Sequence, residues 1–114
     1  METALQVAQK LSEQTLPVGQ DTLQQIASIL VRTELKKGEN FLDEGAVCSQ
    51  IGYIYKGLVR QYYYKNGKQL TEHFSCENDV FICIESFLRQ KPSTLIVEAL
   101  ENTIIYGLPH EPLL

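Results

Sequence analysis

The first thirty residues carry two apolar stripes at helical spacing. The first stripe comprises Ala4, Val7, Ala8 and Leu11, and the second comprises Leu23, Ile26, Ala27 and Leu30. Both follow the i, i+3, i+4, i+7 pattern of an amphipathic helix. We therefore predict that residues 1–32 are helical, as two helices in series that each pack one face on another element.

Local signals place the helix ends. Thr3 with Gln6, and Asp21 with Gln24, have the spacing of a capping box at a helix start. The segment Leu16-Pro17-Val18-Gly19 separates the helices, because proline lacks a backbone donor and glycine is conformationally free. We expect one helix to begin at Thr3 and the other at Asp21.

The periodicity changes at Glu34. From Leu35 to Phe74, short runs rich in β-branched and aromatic residues alternate with glycine-containing turns, which is typical of an antiparallel sheet. Asn66-Gly67 is the strongest turn signal, because both central residues of a type I′ turn need positive φ. The strands predicted around it are Ile51–Tyr55, Leu58–Tyr64 and Gln69–Phe74.

Beyond a turn at Cys76–Asp79 the apolar residues return to near-helical spacing. They are Phe81, Ile84, Phe87 and Leu88, and they predict a short helix around Ile84–Arg89. Lys91-Pro92-Ser93 ends that helix. The last predicted strands are Thr94–Ala99 and Thr103–Leu108. The chain thus reads as seven or eight short strands, interrupted by one helix and preceded by two.

Composition narrows the class of protein. A chain of 114 residues with 44% hydrophobic content suits one domain with one core. Its net charge of −4 has the wrong sign for a dedicated nucleic-acid surface, which would show clustered Lys and Arg. No apolar run approaches the ~20 residues of a membrane span, and the N-terminus lacks the features of a signal peptide. We expect a cytoplasmic protein with no membrane partner.

The three cysteines, Cys48, Cys76 and Cys83, are odd in number and sit among apolar or strand-like neighbours. They are interpreted as reduced, mostly buried thiols rather than a disulfide framework. None forms a C-x-x-C pair, so structural zinc and iron–sulfur clusters lack support.

The run LKKGENFLDEGAVCSQIGYIYKGLVRQYYYKNGKQLT resembles the cyclic-nucleotide-binding domain of the catabolite activator and Fnr (Crp/Fnr) family of bacterial transcription regulators. Gly38, Gly45, Gly57 and Gly67 fall at the family's turn positions. The later run VFICIESFLRQKPSTLIVEALENTIIYGL is most similar to the variants abundant in Bacteroidetes. The resemblance covers roughly residues 30–108. It implies a mainly β fold: an antiparallel double-stranded β-helix (β-roll or jelly-roll) with two N-terminal helices and a short cassette helix.

The resemblance also implies a domain organisation. Residues 1–33 form an N-terminal helical segment packed on the roll, residues 34–108 form the roll, and residues 109–114 are a tail at the start of the family's dimerisation helix. Family members form homodimers and bind DNA through a C-terminal helix-turn-helix, and we expect that DNA-binding part to be absent from residues 1–114. We expect a non-catalytic sensor domain with a small anionic effector as its partner.

The family's ligand site is a phosphate-binding cassette: Gly-Glu at the start of the short helix and Arg-Ser/Thr at the start of the next strand. Alignment on Pro92 places Ser93 at the arginine position and Thr94 at the Ser/Thr position. Gly-Glu falls at Ile82-Cys83 without a gap, and a two-residue shift brings Glu85 to the glutamate position. Because a phosphate would lose a charge-assisted bond worth ~1.5–3 kcal/mol, we do not expect cyclic AMP, or any other cofactor, to be bound as in the family.

The residues that we expect to line the ligand pocket are Glu85, Ser86, Arg89, Ser93 and Thr94. Glu85 would accept a hydrogen bond from a sugar hydroxyl. Ser93 and Thr94 would donate to an anion. No residue is predicted to be catalytic, because no Ser-His-Asp or Cys-His grouping is apparent in the sequence.

Two alternatives stay open. The same roll with a degenerate, non-binding pocket would serve as an interaction or dimerisation module. More distantly, a β-barrel could bind haem through His73 and Cys76, or a metal with His110 as the second histidine. The tyrosine run Tyr62–Tyr64 is interpreted as strand packing rather than base stacking.

Overall fold

The computed structural model of the chain describes residues 4–14 and 18–110. Within these ranges the helices are α1 (Ala4–Gln14), α2 (Gln20–Ile29) and α3 (Ile84–Arg89). The strands are β1 (Val31–Leu35), β2 (Asn40–Leu42), β3 (Gln50–Lys56), β4 (Leu58–Lys65), β5 (Lys68–Cys76), β6 (Val80–Phe81), β7 (Ile96–Ala99) and β8 (Thr103–Pro109). The predicted cap at Thr3, the break at Leu16–Pro17 and the tail from residue 111 lie outside the described residues.

The eight strands found in the described ranges form two four-stranded antiparallel sheets. The first has the order β1-β8-β3-β6 and the second the order β2-β7-β4-β5. Strands distant in sequence are therefore neighbours in each sheet, as in a chain wound into a roll. The predicted fold class, a mainly β roll with flanking helices, is confirmed.

The core lies between the sheets. Its fully buried side chains are Ile54, Val59, Val97 and Ile105. A second apolar cluster lies on the outer face of the first sheet, where Val7 and Leu11 of α1 pack against Tyr53. Adjacent residues of β3 thus supply both clusters, because successive strand side chains point to opposite faces.

The hairpin between β4 and β5 is the one the sequence predicts. Asn66 has φ +54° and Gly67 has φ +78°, the positive pair that a type I′ turn requires. The strands are longer than predicted, and a bulge falls between Gln61 and Tyr62. Tyr62 and Tyr64 share a face as expected, with their rings edge to face at 5.8 Å.

Two local predictions are wrong, and one strand was not predicted. Helix α2 begins at Gln20 with Gly19 as its N-cap, so Asp21 lies in the first turn and does not cap it. Val31 and Arg32 are not helical, because they pair with Gly107 and Tyr106 in β8. Strand β6 (Val80–Phe81) was not predicted, since Phe81 was assigned to the apolar spacing of the helix that follows.

Among the residues that the structure describes, no helix is long and apolar enough to cross a membrane.

Candidate functional site

Helix α3 is fixed to the roll by its central residues. Phe87 is 3% exposed and belongs to the main core, whereas Ile84 and Leu88 are 60% and 61% exposed. The apolar spacing that predicts this helix therefore does not mark a single buried face. The Phe87 amide donates to the Cys83 carbonyl at 2.9 Å, which begins the helix.

The helix ends at Gln90, which adopts the left-handed conformation with φ +52°. Its side-chain Nε2 donates to the Phe87 carbonyl at 2.6 Å and to the Cys48 carbonyl at 3.1 Å. These bonds hold a non-glycine residue in a conformation that glycine usually supplies.

The segment 91–95, which follows α3, lies against the loop between β2 and β3. Pro92 pairs with Val47 in an isolated antiparallel bridge. The Ser93 amide donates to the Ala46 carbonyl and the Gly45 amide donates to the Ser93 carbonyl, both at 2.8 Å. The backbone of the segment is thus fixed by the loop that it crosses.

Helix α3 and the segment 91–95 enclose a cavity of about 330 Å³, called here the α3 cavity. All five residues predicted from the sequence line it: Glu85, Ser86, Arg89, Ser93 and Thr94. Lys91 also lines the cavity and was not among them. Lys91 is basic and near the cassette in sequence, but its spacing does not match that of the family's arginine.

Both serines of the α3 cavity already use their hydroxyl groups. Ser86 Oγ accepts from the Cys48 amide at 2.8 Å and donates to the Lys91 carbonyl at 2.5 Å. Ser93 Oγ donates to the Leu95 carbonyl at 3.0 Å and accepts from the Leu95 amide at 2.9 Å. Because a hydroxyl has one proton to donate, neither serine has a donor left for a ligand.

Four other side chains of the cavity are exposed: Glu85, Arg89, Lys91 and Thr94. None of them forms a hydrogen bond or ion pair with another residue of the described ranges. Two cations and one carboxylate therefore face the cavity, so its wall carries a net positive charge on a chain whose total charge is −4. Thr94 contributes a hydroxyl with its donor and acceptors unoccupied.

Two cysteines meet beneath this site. Cys48, in the loop between β2 and β3, and Cys83, just before α3, are both buried. The neighbouring Cys83 is the largest cause that lowers the pKa of Cys48 to about 6. Cys48 in turn, together with burial, raises the pKa of Cys83. The thiols line a second cavity of about 200 Å³, called here the cysteine cavity.

Cys76 is the exposed exception among the three cysteines and lies at the end of β5, whereas Cys48 and Cys83 are buried as predicted. Its thiol lies 3.4 Å from the Asp79 carboxylate. That carboxylate raises the pKa of Cys76.

The residues considered for haem or metal do not converge. His73 and Cys76 are three positions apart in β5, so their side chains leave opposite faces of the strand. The His110 ring instead contacts the Phe87 ring edge to face, with centroids 5.0 Å apart. The described residues contain no group of three or more His, Cys, Asp or Glu that could hold a metal ion.

Comparison with known proteins gives structural matches only. No family model and no curated protein sequence matches the chain. The sensor domain of the transcriptional regulator DNR from Pseudomonas aeruginosa is similar in structure, with a TM-score of 0.82 and 17% sequence identity over 94% of this chain and 74% of that one.

Two further solved structures extend the likeness. The regulatory domain of Toxoplasma gondii PKA, solved with cAMP, has a TM-score of 0.82 at 12% identity over 95% of this chain and 42% of that one. The catabolite activator protein of Thermus thermophilus has a TM-score of 0.72 at 18% identity over 90% of this chain and 46% of that one. This chain therefore spans less than half of the two latter chains. These matches show that it has the cyclic-nucleotide-binding β-roll fold of sensor and regulatory domains.

Proposed function

We propose that the chain is the effector-sensing domain of a Crp/Fnr-like transcription regulator, of the type abundant in Bacteroidetes, and that it binds a small anionic ligand in the α3 cavity. One observation carries the proposal. Arg89 and Lys91 point two charges at a cavity in which neither has an ion-pair partner among the described residues.

The chemistry of the cavity defines the ligand class. Arg89 offers a planar fork that matches a carboxylate or phosphate group, and Lys91 adds a point charge. Thr94 can donate to the same anion. Glu85 is the acceptor for a hydroxyl or amine on the ligand, because a carboxylate at neutral pH only accepts. The ligand is thus an anion that also carries hydrogen-bond donors, as a nucleotide or a sugar phosphate does.

The position of the charge argues against the family's usual ligand. Ser93, at the position where the family has arginine, is buried and bonded to Leu95. Arg89 and Lys91 lie at the exposed rim instead. A cyclic phosphate buried at Ser93 would lack a cation, whereas an anion at the rim would meet two. We therefore expect weak or no binding of cyclic AMP and tighter binding of a larger or more charged anion.

Signal output follows from the same arrangement. A ligand bridging Arg89 and Thr94 would tie the end of α3 to the segment 91–95 and so change the position of the helix. In a homodimeric regulator that shift would pass to a DNA-binding domain outside this chain. DNA is therefore a partner of the whole regulator rather than of this domain.

Calorimetric titration tests the proposal. The probes are cyclic AMP, cyclic GMP, inorganic phosphate and a panel of nucleotides, sugar phosphates and carboxylates. We expect at least one probe to bind, and the double variant Arg89→Gln/Lys91→Gln to weaken it tenfold or more. The matched control is Lys65→Gln/Lys68→Gln, which removes two exposed charges at the distant β4–β5 hairpin. Equal affinity in both variants, or no binding across the panel, overturns the proposal.

A second candidate function is an interaction module with a non-binding cavity. It is favoured by the exposure of Ile84 and Leu88, which stand one turn apart on α3. Sedimentation equilibrium would then show association that Leu88→Gln abolishes. A monomer at all concentrations, together with a binding probe in the panel, excludes this alternative.

A further inference from the structure

We propose that Cys48 and Cys83 form a redox-active thiol pair that a hydroperoxide oxidises to an intramolecular disulfide. The site is a modification site distinct from the α3 cavity, although Cys83 lines both cavities. It does not depend on the identity or existence of the proposed ligand.

The geometry brings the two sulfurs together from distant parts of the chain. Cys48 lies in the β2–β3 loop and Cys83 lies between β6 and α3. Both side chains are buried in one core cluster and line the same cysteine cavity. Rotation of the two side chains would have to bring their sulfurs to the bonded distance of ~2.05 Å.

The surroundings hold the pair in place and leave it reachable. Gln61 Nε2 donates to Cys83 Sγ at 3.3 Å. The Cys48 backbone is held on both sides, by Ser86 Oγ at its amide and by Gln90 Nε2 at its carbonyl. The cysteine cavity of about 200 Å³ gives a small oxidant a place beside both sulfurs.

The two thiols have different roles. The Cys48 thiol donates to the Gln50 carbonyl at 3.4 Å. Cys48 loses its proton more readily, because Cys83 lowers the pKa of Cys48 to about 6, whereas the neighbouring Cys48 and burial raise the pKa of Cys83. The thiolate is the nucleophilic form. Asp43 is the other titratable residue of the cavity wall.

The reaction balances with the hydroperoxide as the only oxidant. The Cys48 thiolate attacks the terminal peroxide oxygen, the O–O bond breaks, and a sulfenic acid and an alkoxide or hydroxide result. The alkoxide or hydroxide takes a proton. The Cys83 sulfur then attacks the Cys48 sulfur, the S–O bond breaks, and the departing hydroxide takes the Cys83 proton as water. Two thiols lose two hydrogens and the peroxide is reduced. A dithiol reverses the reaction by exchange.

The disulfide would join the loop to the start of α3. Because Cys83 directly precedes α3 and lines the α3 cavity, the bond would restrain the wall of that cavity. Oxidation would therefore fix one position of α3, whatever ligand the cavity takes.

Peptide mapping of the whole chain tests the proposal. The reduced protein is treated with hydrogen peroxide, blocked with N-ethylmaleimide and cleaved after glutamate. Glu72 and Glu77 separate the three cysteines into fragments 45–72, 73–77 and 78–85. Trypsin would leave Cys76 and Cys83 on one peptide, because no Lys or Arg lies between them. We expect fragments 45–72 and 78–85 to be joined, and Cys76 to carry the blocking group.

Variants separate the two roles. In Cys83→Ser the first step stops at a sulfenic acid on Cys48, which dimedone traps. In Cys48→Ser neither the disulfide nor the dimedone adduct forms at that site. Cys76→Ser is the matched control and should oxidise like the natural chain. If the first two variants fail to fold, the peptide map of the unsubstituted protein still shows whether Cys48 and Cys83 form a disulfide. Oxidation of Cys76 before the pair, or a pair that remains fully blocked by the maleimide, overturns the proposal.

Discussion

The hydroxyl of Ser86 lies 2.8 Å from the amide nitrogen of Cys48 and accepts its hydrogen bond. The same hydroxyl donates to the Lys91 carbonyl at 2.5 Å. One side chain of α3 therefore satisfies backbone groups of the loop before it and of the segment after it. The sequence suggested Ser86 as a ligand contact, and the structure gives it the role of holding the cavity wall together.

Replacing Ser86 by alanine should lower the stability of the roll. The substitution leaves the Cys48 amide and the Lys91 carbonyl without their partner, and a buried polar group left unsatisfied costs ~1–3 kcal/mol. Urea unfolding followed by circular dichroism measures the change in the free energy of unfolding. Thr94→Val is the control, because an exposed residue with no hydrogen-bonding partner should change stability by less than ~0.5 kcal/mol. Equal effects would show that the Ser86 bonds do not contribute.

Truncation of two adjacent apolar residues of α3 should lower stability by very different amounts. Phe87→Ala creates a cavity in the main core and should lower the free energy of unfolding by ~3–5 kcal/mol. Leu88→Ala removes a side chain that is 61% exposed and should cost far less. The comparison, made by denaturant unfolding at one pH, is internally matched because both changes leave the same alanine in the same helix. A large loss from Leu88→Ala would indicate that this face is covered in solution.

Alanine substitution of three glycines should lower stability by three different amounts. Gly57 has φ +113°, and a Cβ there would lie 2.4 Å from Thr103 Oγ1, so Gly57→Ala should cost ~2–5 kcal/mol through strain and overlap. Gly67 has φ +78° with open space around it, so Gly67→Ala should cost ~1–2 kcal/mol. Gly19→Ala has neither penalty and should cost at most ~1 kcal/mol, because alanine is a poorer N-cap residue than glycine. Thermal and urea unfolding rank the three, and any other order contradicts the assignment.

The reactivity of Cys48 should follow its lowered pKa. Iodoacetamide reacts with the thiolate, so labelling of Cys48 should rise as the pH increases through about 6 and reach a plateau above it. Cys76, whose pKa is raised by Asp79, should begin to react only in alkaline solution. Mass spectrometry of the separated fragments gives both profiles from one sample. A Cys48 midpoint at or above that of Cys76 would contradict the contact between Cys48 and Cys83.

Local sequence signals were sufficient to predict much of the fold. Asn66-Gly67 has a conformational requirement that few residues meet, and the predicted helix Ile84–Arg89 has those same ends in the structure. Predictions were wrong where tertiary contacts decide the outcome. Val31 continues a helical stripe in sequence, yet it pairs with Gly107 seventy-six positions away (107 − 31 = 76). The spacing of apolar residues cannot identify a pairing partner that is so distant in sequence.

Most polar residues of the candidate site were predictable from the sequence, but their hydrogen-bonding roles were not. The resemblance to the cyclic-nucleotide-binding domain directed attention to Glu85 through Thr94, and those residues do line one cavity. It did not reveal that Ser93 is bonded to its own neighbour at Leu95, since that depends on local backbone geometry. The contact between Cys48 and Cys83 was equally hidden, because nothing in their spacing distinguishes them from two inert thiols.

Tyr53 and Ile54 are both fully buried, one beneath α1 and the other inside the roll. A slip of one residue in the pairing of β3 would bring the Tyr53 hydroxyl, now bonded to Asn78, into hydrocarbon surroundings. The register of this strand is thus set from both faces at once. Loss of the packing on one face of β3 should therefore also disrupt the packing on its other face. We expect the α1 layer and the roll to unfold in a single transition.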